Sequence, residues 1–302
     1  MIFYYIALAF ILNLVIALVV SLRYKYILQK VDVKITFLSS FIISGLAYFL
    51  SYLIPFKGGA ILGYPLAAKI KENISLKKSY LVLFFENIFD TLWQIVIIFI
   101  LLFFGKNKYF DNIILDIVLI VLFIVVLSGA IFKYENVIRF FIWIYGFFPL
   151  RLKNLAEKTG LKRIDFNEEL NRLKLLFFTK GFLFNYFLLS SIIVFLSPII
   201  ILCLTKSFSY NLNYFNAFFI YWVSYILGRL SGLPFGLGLR DAAIGTILYS
   251  YGVQGYTSVN IVILQRVITF FPFIPVGLIY FLSYGKSKIM KFYNEFKDKK
   301  EE

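Results

Sequence analysis

"PFKGG" at residues 55–59 and "PFGLG" at residues 234–238 are nearly the same five letters, met 179 positions apart in apolar sequence. Proline removes a backbone donor and glycine relaxes the backbone, so each stretch ends the helix that runs into it. Each also brings a charge to the break, Lys57 inside the first and Arg240 just past the second. An apolar run precedes each break, at 36–54 and 214–232, and a shorter one follows, at 58–68 and 238–252. Both arrangements read as a helical hairpin with Pro55 or Pro234 at its tip.

Further apolar runs fall at 2–22, 79–104, 111–132, 181–205 and 257–283. A bilayer-spanning helix needs roughly 20 apolar residues, and several of these runs reach that length. The chain of 302 residues is 61% hydrophobic and 21% aromatic, with a mean hydropathy of +0.85. The expected class is an all-α polytopic transmembrane helix bundle, one membrane domain over 1–302. The first run begins at Ile2 with no basic residue ahead of it and is longer than a signal-peptide core, so it reads as a retained helix. Between the spans, 133–180 is mixed. Arg139, Arg151 and Lys153 alternate there with aromatics, the pattern of a helix lying in the interface, and a charged amphipathic helix follows.

Composition also excludes chemistry. The lone cysteine, Cys203, rules out a disulfide framework, and the absence of histidine removes Ser-His, Cys-His and His-metal arrangements. No GxxxxGK[ST] motif is present, so direct use of ATP is not expected. Neither a cofactor nor a metal is expected. The formal charge of +15 comes from short basic segments between apolar spans. That distribution suits an anionic lipid surface rather than nucleic acid.

Those basic segments orient the chain. Segments 22–35, 69–78, 133–180 and 284–302 hold 24 of the Lys and Arg residues, while 105–110, 206–213 and 253–256 hold 3. Placing the first group in the cytoplasm puts both ends of 36–68 inside and both ends of 214–252 outside. Each hairpin must then enter the bilayer and return. The offset of 179 that aligns the two breaks also carries 2–22 onto 181–201 and 79–104 onto 258–283. The expected architecture is an inverted repeat of helix, re-entrant hairpin and helix. Repeat one covers 1–104 and repeat two 181–283. A linker over 105–180 holds one extra span and the amphipathic helices, and a basic cytoplasmic tail occupies 284–302. Inverted repeats with broken helices are a transporter arrangement, with the substrate site where the halves meet near the midplane.

Four basic residues remain inside the apolar sequence, Lys57, Arg229, Arg240 and Arg266, together with Glu86, Asp90 and Asp241. A charge at the bilayer centre costs at least about 2.5–3.5 kcal/mol, so such residues face a partner or a polar cavity. Two readings stay open. In one, acid and base pair as structural glue, Arg266 with Asp241 or Lys57 with Glu86. In the other, Arg240, Arg266, Arg229 and Lys57 hold an anionic headgroup, with Gly58, Gly59, Gly236 and Gly238 letting backbone approach it. Glu86 and Asp90, four residues apart on one helical face, suit proton or cation coupling as well as ion pairing.

The stretch "LPFGLGLRDAAIGTILYSYGV" at 233–253 resembles the signature of the lysylphosphatidylglycerol synthase transmembrane-region family. "LQRVITFFPFIPVGLIYF" at 264–281 is similar to the helix that follows it there, and "IPFKGGAIL" and "FFENIFD" resemble the first half. Departures are Ala60 where glutamate is usual, Gly63 where arginine is usual, and Asn87 where the arginine of a Glu-Arg pair is usual. The resemblance implies movement of lipids between leaflets by a stand-alone membrane region without its synthase domain. It also implies a polyprenyl or isoprenoid phosphate-linked lipid as a cargo. The expected function is a flippase-like transporter for an anionic lipid headgroup, not an enzyme. A membrane-embedded lipid transferase and an ion-coupled carrier of a small solute are the alternatives. The expected partner is a membrane lipid, with a homodimer as a further option. The expected place is the plasma membrane, multi-pass, with the C-terminus cytoplasmic.

Overall fold

The computed structural model describes residues 2–53, 57–104, 179–230 and 236–285. Every element among them is helical: α1 (Ile2–Lys30), α2 (Phe37–Leu53), α3 (Lys57–Glu72), α4 (Leu76–Phe104), α5 (Lys180–Ser207), α6 (Tyr214–Leu230), α7 (Leu239–Ser250), α8 (Gly255–Phe270) and α9 (Ile274–Tyr280), ending in a π turn, Phe281–Gly285. The chain divides into two compact units, Met1–Leu83 with Leu176–Glu302, and Phe84–Leu175. Of the second unit, the described part is the run of α4 from residue 84 to 104. The predicted span 111–132, nearly all of the 133–180 linker and most of the basic tail lie outside the described residues.

In the first unit α1 and α5 pack side by side. Lys206 sits over Tyr5, Arg23 meets Ser190, Tyr26 meets Asn185 and Lys30 sits over Phe182. Numbers rising on one helix and falling on the other make the pair antiparallel. The buried face of α1 runs through Ala9, Asn13, Ile16, Ala17, Tyr24, Ile27 and Leu28, a spacing of three and four that keeps one side of a helix turned inward. Phe3, Ile11, Val15, Leu18 and Leu22 of α1, with Phe184, Leu188 and Phe195 of α5, are exposed. So extended an apolar surface is matched by hydrocarbon rather than water. Among the described residues, α1 and α5 are long and apolar enough to cross a bilayer. The pair α8 and α9 is bent by 42° and makes a third if it counts as one span.

Two expected boundaries move. The first span does not stop at residue 22: nothing in the basic sequence that follows breaks a helix, and α1 runs on to Lys30. The run 257–283 is not continuous, because Pro272 has no N–H to return to the carbonyl of Ile268. Asn13 fills that gap, its Nδ2 donating to the Ile268 oxygen at 2.6 Å. Pro198 inside α5 leaves the carbonyl of Val194 in the same position, and Trp222 Nε1 on α6 donates to it at 3.2 Å.

Of the limbs expected to form hairpins, α2 packs against α3 and α6 against α7. Gly63 of α3 lies so close to α2 that a Cβ there would collide with Ser51 Oγ and fall 2.7 Å from the Ala47 oxygen. That contact leaves no room there for the arginine that the resemblance leads one to expect. In the second pair a Cβ on Gly236 would fall 2.6 Å from Gly228 Cα.

Candidate anion-binding site

The chain leaves the break after α6 through Gly236 and Gly238, at φ 70° and 82°. Side chains rarely adopt that conformation, so glycine is the residue that fits. α7 then starts at Leu239, and its first turn carries Arg240 and Asp241. Asp241 accepts from the Gly238 N–H through Oδ2 at 3.0 Å, closing the helix start, and from Arg266 Nε through Oδ1 at 2.5 Å. One carboxylate thus caps α7 and ties it to α8.

Arg240 goes the other way. Its guanidinium lies 5.2 Å from the ring of Tyr221 and 5.5 Å from that of Tyr225, two parallel rings a turn apart on α6. The residue is 6% exposed. Among the described residues nothing accepts a hydrogen bond from its Nε or Nη2. Aromatic faces offset part of the cost of burying a cation but satisfy none of its N–H groups.

Arg266 is buried beside Asp241, with its guanidinium 5.6 Å from the Phe270 ring. The other hairpin reaches the same place through Tyr52, near the end of α2. The Tyr52 hydroxyl lies within electrostatic reach of Arg266, Arg240 and Asp241. Its ring stands edge-on to Phe270 at 5.0 Å.

The sequence-derived residues therefore separate. Arg240, Asp241, Arg266, Gly236 and Gly238 come together. The expected Arg266–Asp241 pair is formed, while Arg240 has no such pair among the described residues. Arg229, expected to join them, is exposed on the last turn of α6. Gly58 and Gly59 do not form a break: they lie in the first turn of α3, where the backbone N–H groups need no intrahelical partner and glycine continues the helix. The surroundings of the Lys57 side chain, and with them the expected Lys57–Glu86 pairing, lie outside the described residues, as do Pro55 and Pro234. Glu86 and Asp90 occupy one face of α4 in the unit Phe84–Leu175, Glu86 buried and Asp90 half-buried.

The model of the lysylphosphatidylglycerol synthase TM region matches residues 1–277. The chain belongs to this family. No curated protein and no solved structure matches it. Membership makes it a membrane protein of a family linked to lipid handling. Within the family frame, three contributors escaped the reading of charges alone. Tyr52, Tyr221 and Tyr225 carry no charge, and their signals are local: a tyrosine three residues before a Pro-Gly break, and two tyrosines at i and i+4 on the limb facing Arg240. Arg23 escaped as well. It reads as part of a cytoplasmic basic segment, yet it is buried, bonded to Ser190 Oγ at 3.2 Å and stacked 5.3 Å from the Tyr186 ring.

Proposed function

We propose that this chain is a flippase-like transporter that moves an anionic lipid headgroup through a polar site near mid-bilayer, with Arg240 as its phosphate ligand. The observation that carries the reading is a buried guanidinium, held by two tyrosine faces, with two donor nitrogens unsatisfied among the described residues. A phosphate supplies the acceptors such a fork requires. Arg266 is the second cation of the site, its charge already balanced by Asp241. Acyl chains stay in hydrocarbon while the headgroup passes, which avoids exposing a bare phosphate to the lipid interior.

The inverted repeat belongs to the same proposal. Moved on by 179 residues, the starts of α1 to α4 at 2, 37, 57 and 76 become 181, 216, 236 and 255, against 180, 214, 239 and 255 for α5 to α8. The antiparallel packing of α1 and α5 supports inversion of one copy relative to the other. At 17 residues, α2 and α6 reach about 25 Å, short of a hydrocarbon core of about 30 Å, which supports hairpins that enter and return. Tyr52 lies close to one break and Asp241 close to the other. Their meeting at Arg266 supports two breaks facing each other. We place the protein in the plasma membrane with a cytoplasmic C-terminus, and read it as a carrier without an enzymatic step.

The test is reconstitution of the purified full chain in liposomes with a fluorescent anionic phospholipid and a leaflet-selective quencher. Arg240→Ala is expected to slow headgroup movement at least tenfold, and Arg240→Lys to restore little of it, because an ammonium lacks the planar fork. Movement by Arg240→Ala at the rate of the unaltered chain would remove the site.

A further inference from the structure

The antiparallel pair α1 and α5 carries a surface groove whose two ends differ in chemistry. One end is apolar, formed by Leu22, Leu188 and Leu189; the other is polar, formed by Lys25, Tyr26, Gln29 and Asn185. The order is set by the packing. Residue numbers climb on α1 from Leu22 to Gln29, about 10 Å of helix, and fall on α5 from Leu189 to Asn185, so both helices turn from apolar to polar together. Leu22 and Leu188 are 42% and 51% exposed. At the polar end Asn185 Nδ2 donates to the Tyr26 hydroxyl at 3.2 Å, which leaves the Tyr26 O–H to donate elsewhere.

Basic residues predominate at this end. Arg23, Lys25 and Lys30 fall within eight residues of α1, neither α1 nor α5 contains an aspartate or glutamate, and the acid that follows, Asp32, lies just past the end of α1. Lys30 lies 5.9 Å over the Phe182 ring, and Arg23 over Tyr186. Among the described residues Lys25 makes no ion pair. The polar end belongs to the segment that charge asymmetry places on the cytoplasmic side, where anionic lipids give the surface a negative potential.

We infer that this groove is a standing binding site for an anionic phospholipid of the cytoplasmic leaflet, separate from the Arg240 site. Its phosphate is held by the Lys25 ammonium, the Tyr26 O–H and the amides of Gln29 and Asn185. Its glycerol and first acyl carbons lie on Leu22, Leu188 and Leu189. A soluble phosphate would use the polar end only, whereas a lipid uses both, and the continuous step from leucine to lysine along two helices fits the lipid. The inference does not rest on the transport reading, since it needs neither hairpin.

The experiment measures the thermal unfolding midpoint of the purified full chain in neutral detergent as phosphatidylglycerol, phosphatidylcholine or glycerol phosphate is added. Phosphatidylglycerol is expected to raise the midpoint by several degrees more than phosphatidylcholine, and glycerol phosphate to leave it unchanged. Lys25→Gln and Asn185→Leu are each expected to weaken the half-saturating concentration of phosphatidylglycerol at least fivefold. Lys206→Gln, at the far end of the same helix pair, should keep it. Should a groove variant prove too unstable for this readout, native mass spectrometry of its retained phosphatidylglycerol decides instead. Equal effects of the two lipids, a shift reproduced by glycerol phosphate, or groove variants that bind like the unaltered chain would each overturn the assignment. Arg240→Met separates the two sites: it should leave this lipid-dependent shift intact, and loss of the shift there would assign it to Arg240 and overturn the groove.

Discussion

An α-helix turns by about 100° per residue, so Arg240 and Asp241 leave α7 toward different neighbours. Asp241 meets α8 and the Gly238 amide, while Arg240 meets the tyrosines of α6. The two should therefore respond oppositely to neutral replacement. Asp241→Asn leaves Arg266 buried without its carboxylate and weakens the start of α7, an expected loss of about 1–3 kcal/mol. Arg240→Met removes a guanidinium whose Nε and Nη2 are unsatisfied among the described residues and keeps the stem against the rings. Its unfolding midpoint should hold or rise while lipid movement falls. Thermal unfolding of both variants in detergent measures this, and a large loss of stability in Arg240→Met would make Arg240 a structural residue. Sequence alone identified both residues as charges out of place but could not divide their roles. The division depends on which helix each one faces, and the tyrosines that receive Arg240 are uncharged.

At the scale of the element, prolines shape the fold through the carbonyls they orphan. Hydropathy reads 257–283 as one span because Pro272 sits in uniformly apolar sequence. The bend was legible in principle from the proline; its partner was not, since Asn13 lies 255 residues away. Asn13→Leu should cost about 1–3 kcal/mol, because the Ile268 carbonyl then has no donor. If that account is right, Pro272→Ala should cost far less in the Asn13→Leu background than alone, as an alanine at this position can supply the missing N–H to Ile268. A double-mutant cycle in denaturant reads the coupling, and additive effects would sink it. The crossing of α2 and α9 offers a second test. A Cβ on Gly277 would collide with the Gly45 carbonyl, whereas one on Gly245 meets nothing nearer than 4.0 Å. Gly277→Ala is expected to lower folded yield severely, and Gly245→Ala to stabilise by about 0.5–1 kcal/mol as a helix-interior replacement. Size-exclusion profiles and unfolding midpoints compare them.

For the whole molecule, the proposed repeat rests on the two similar proline-glycine stretches and the uneven spread of lysine and arginine, signals that are read without any contact being known. Arg23 shows their limit. Charge counting assigns it to a cytoplasmic segment because a basic residue near a span end is normally solvated, whereas antiparallel packing against α5 buries it. The orientation that the counting implies is open to labelling. Cys203, the one cysteine, is buried, so Cys203→Ser gives a background without a native thiol. Ser75, Asn211 and Gln254 are exposed, Ser75 between α3 and α4 and the other two on either side of the α6–α7 hairpin. In intact expressing cells a membrane-impermeant maleimide should label Asn211→Cys and Gln254→Cys, and label Ser75→Cys after permeabilisation alone. Residues 211 and 254 on one side require α6 and α7 to enter and return, which holds Arg240 within the bilayer beside Tyr52. Labelling of those two from opposite sides would make α6 and α7 a single broken span, and the paired-hairpin path for a headgroup would go with it.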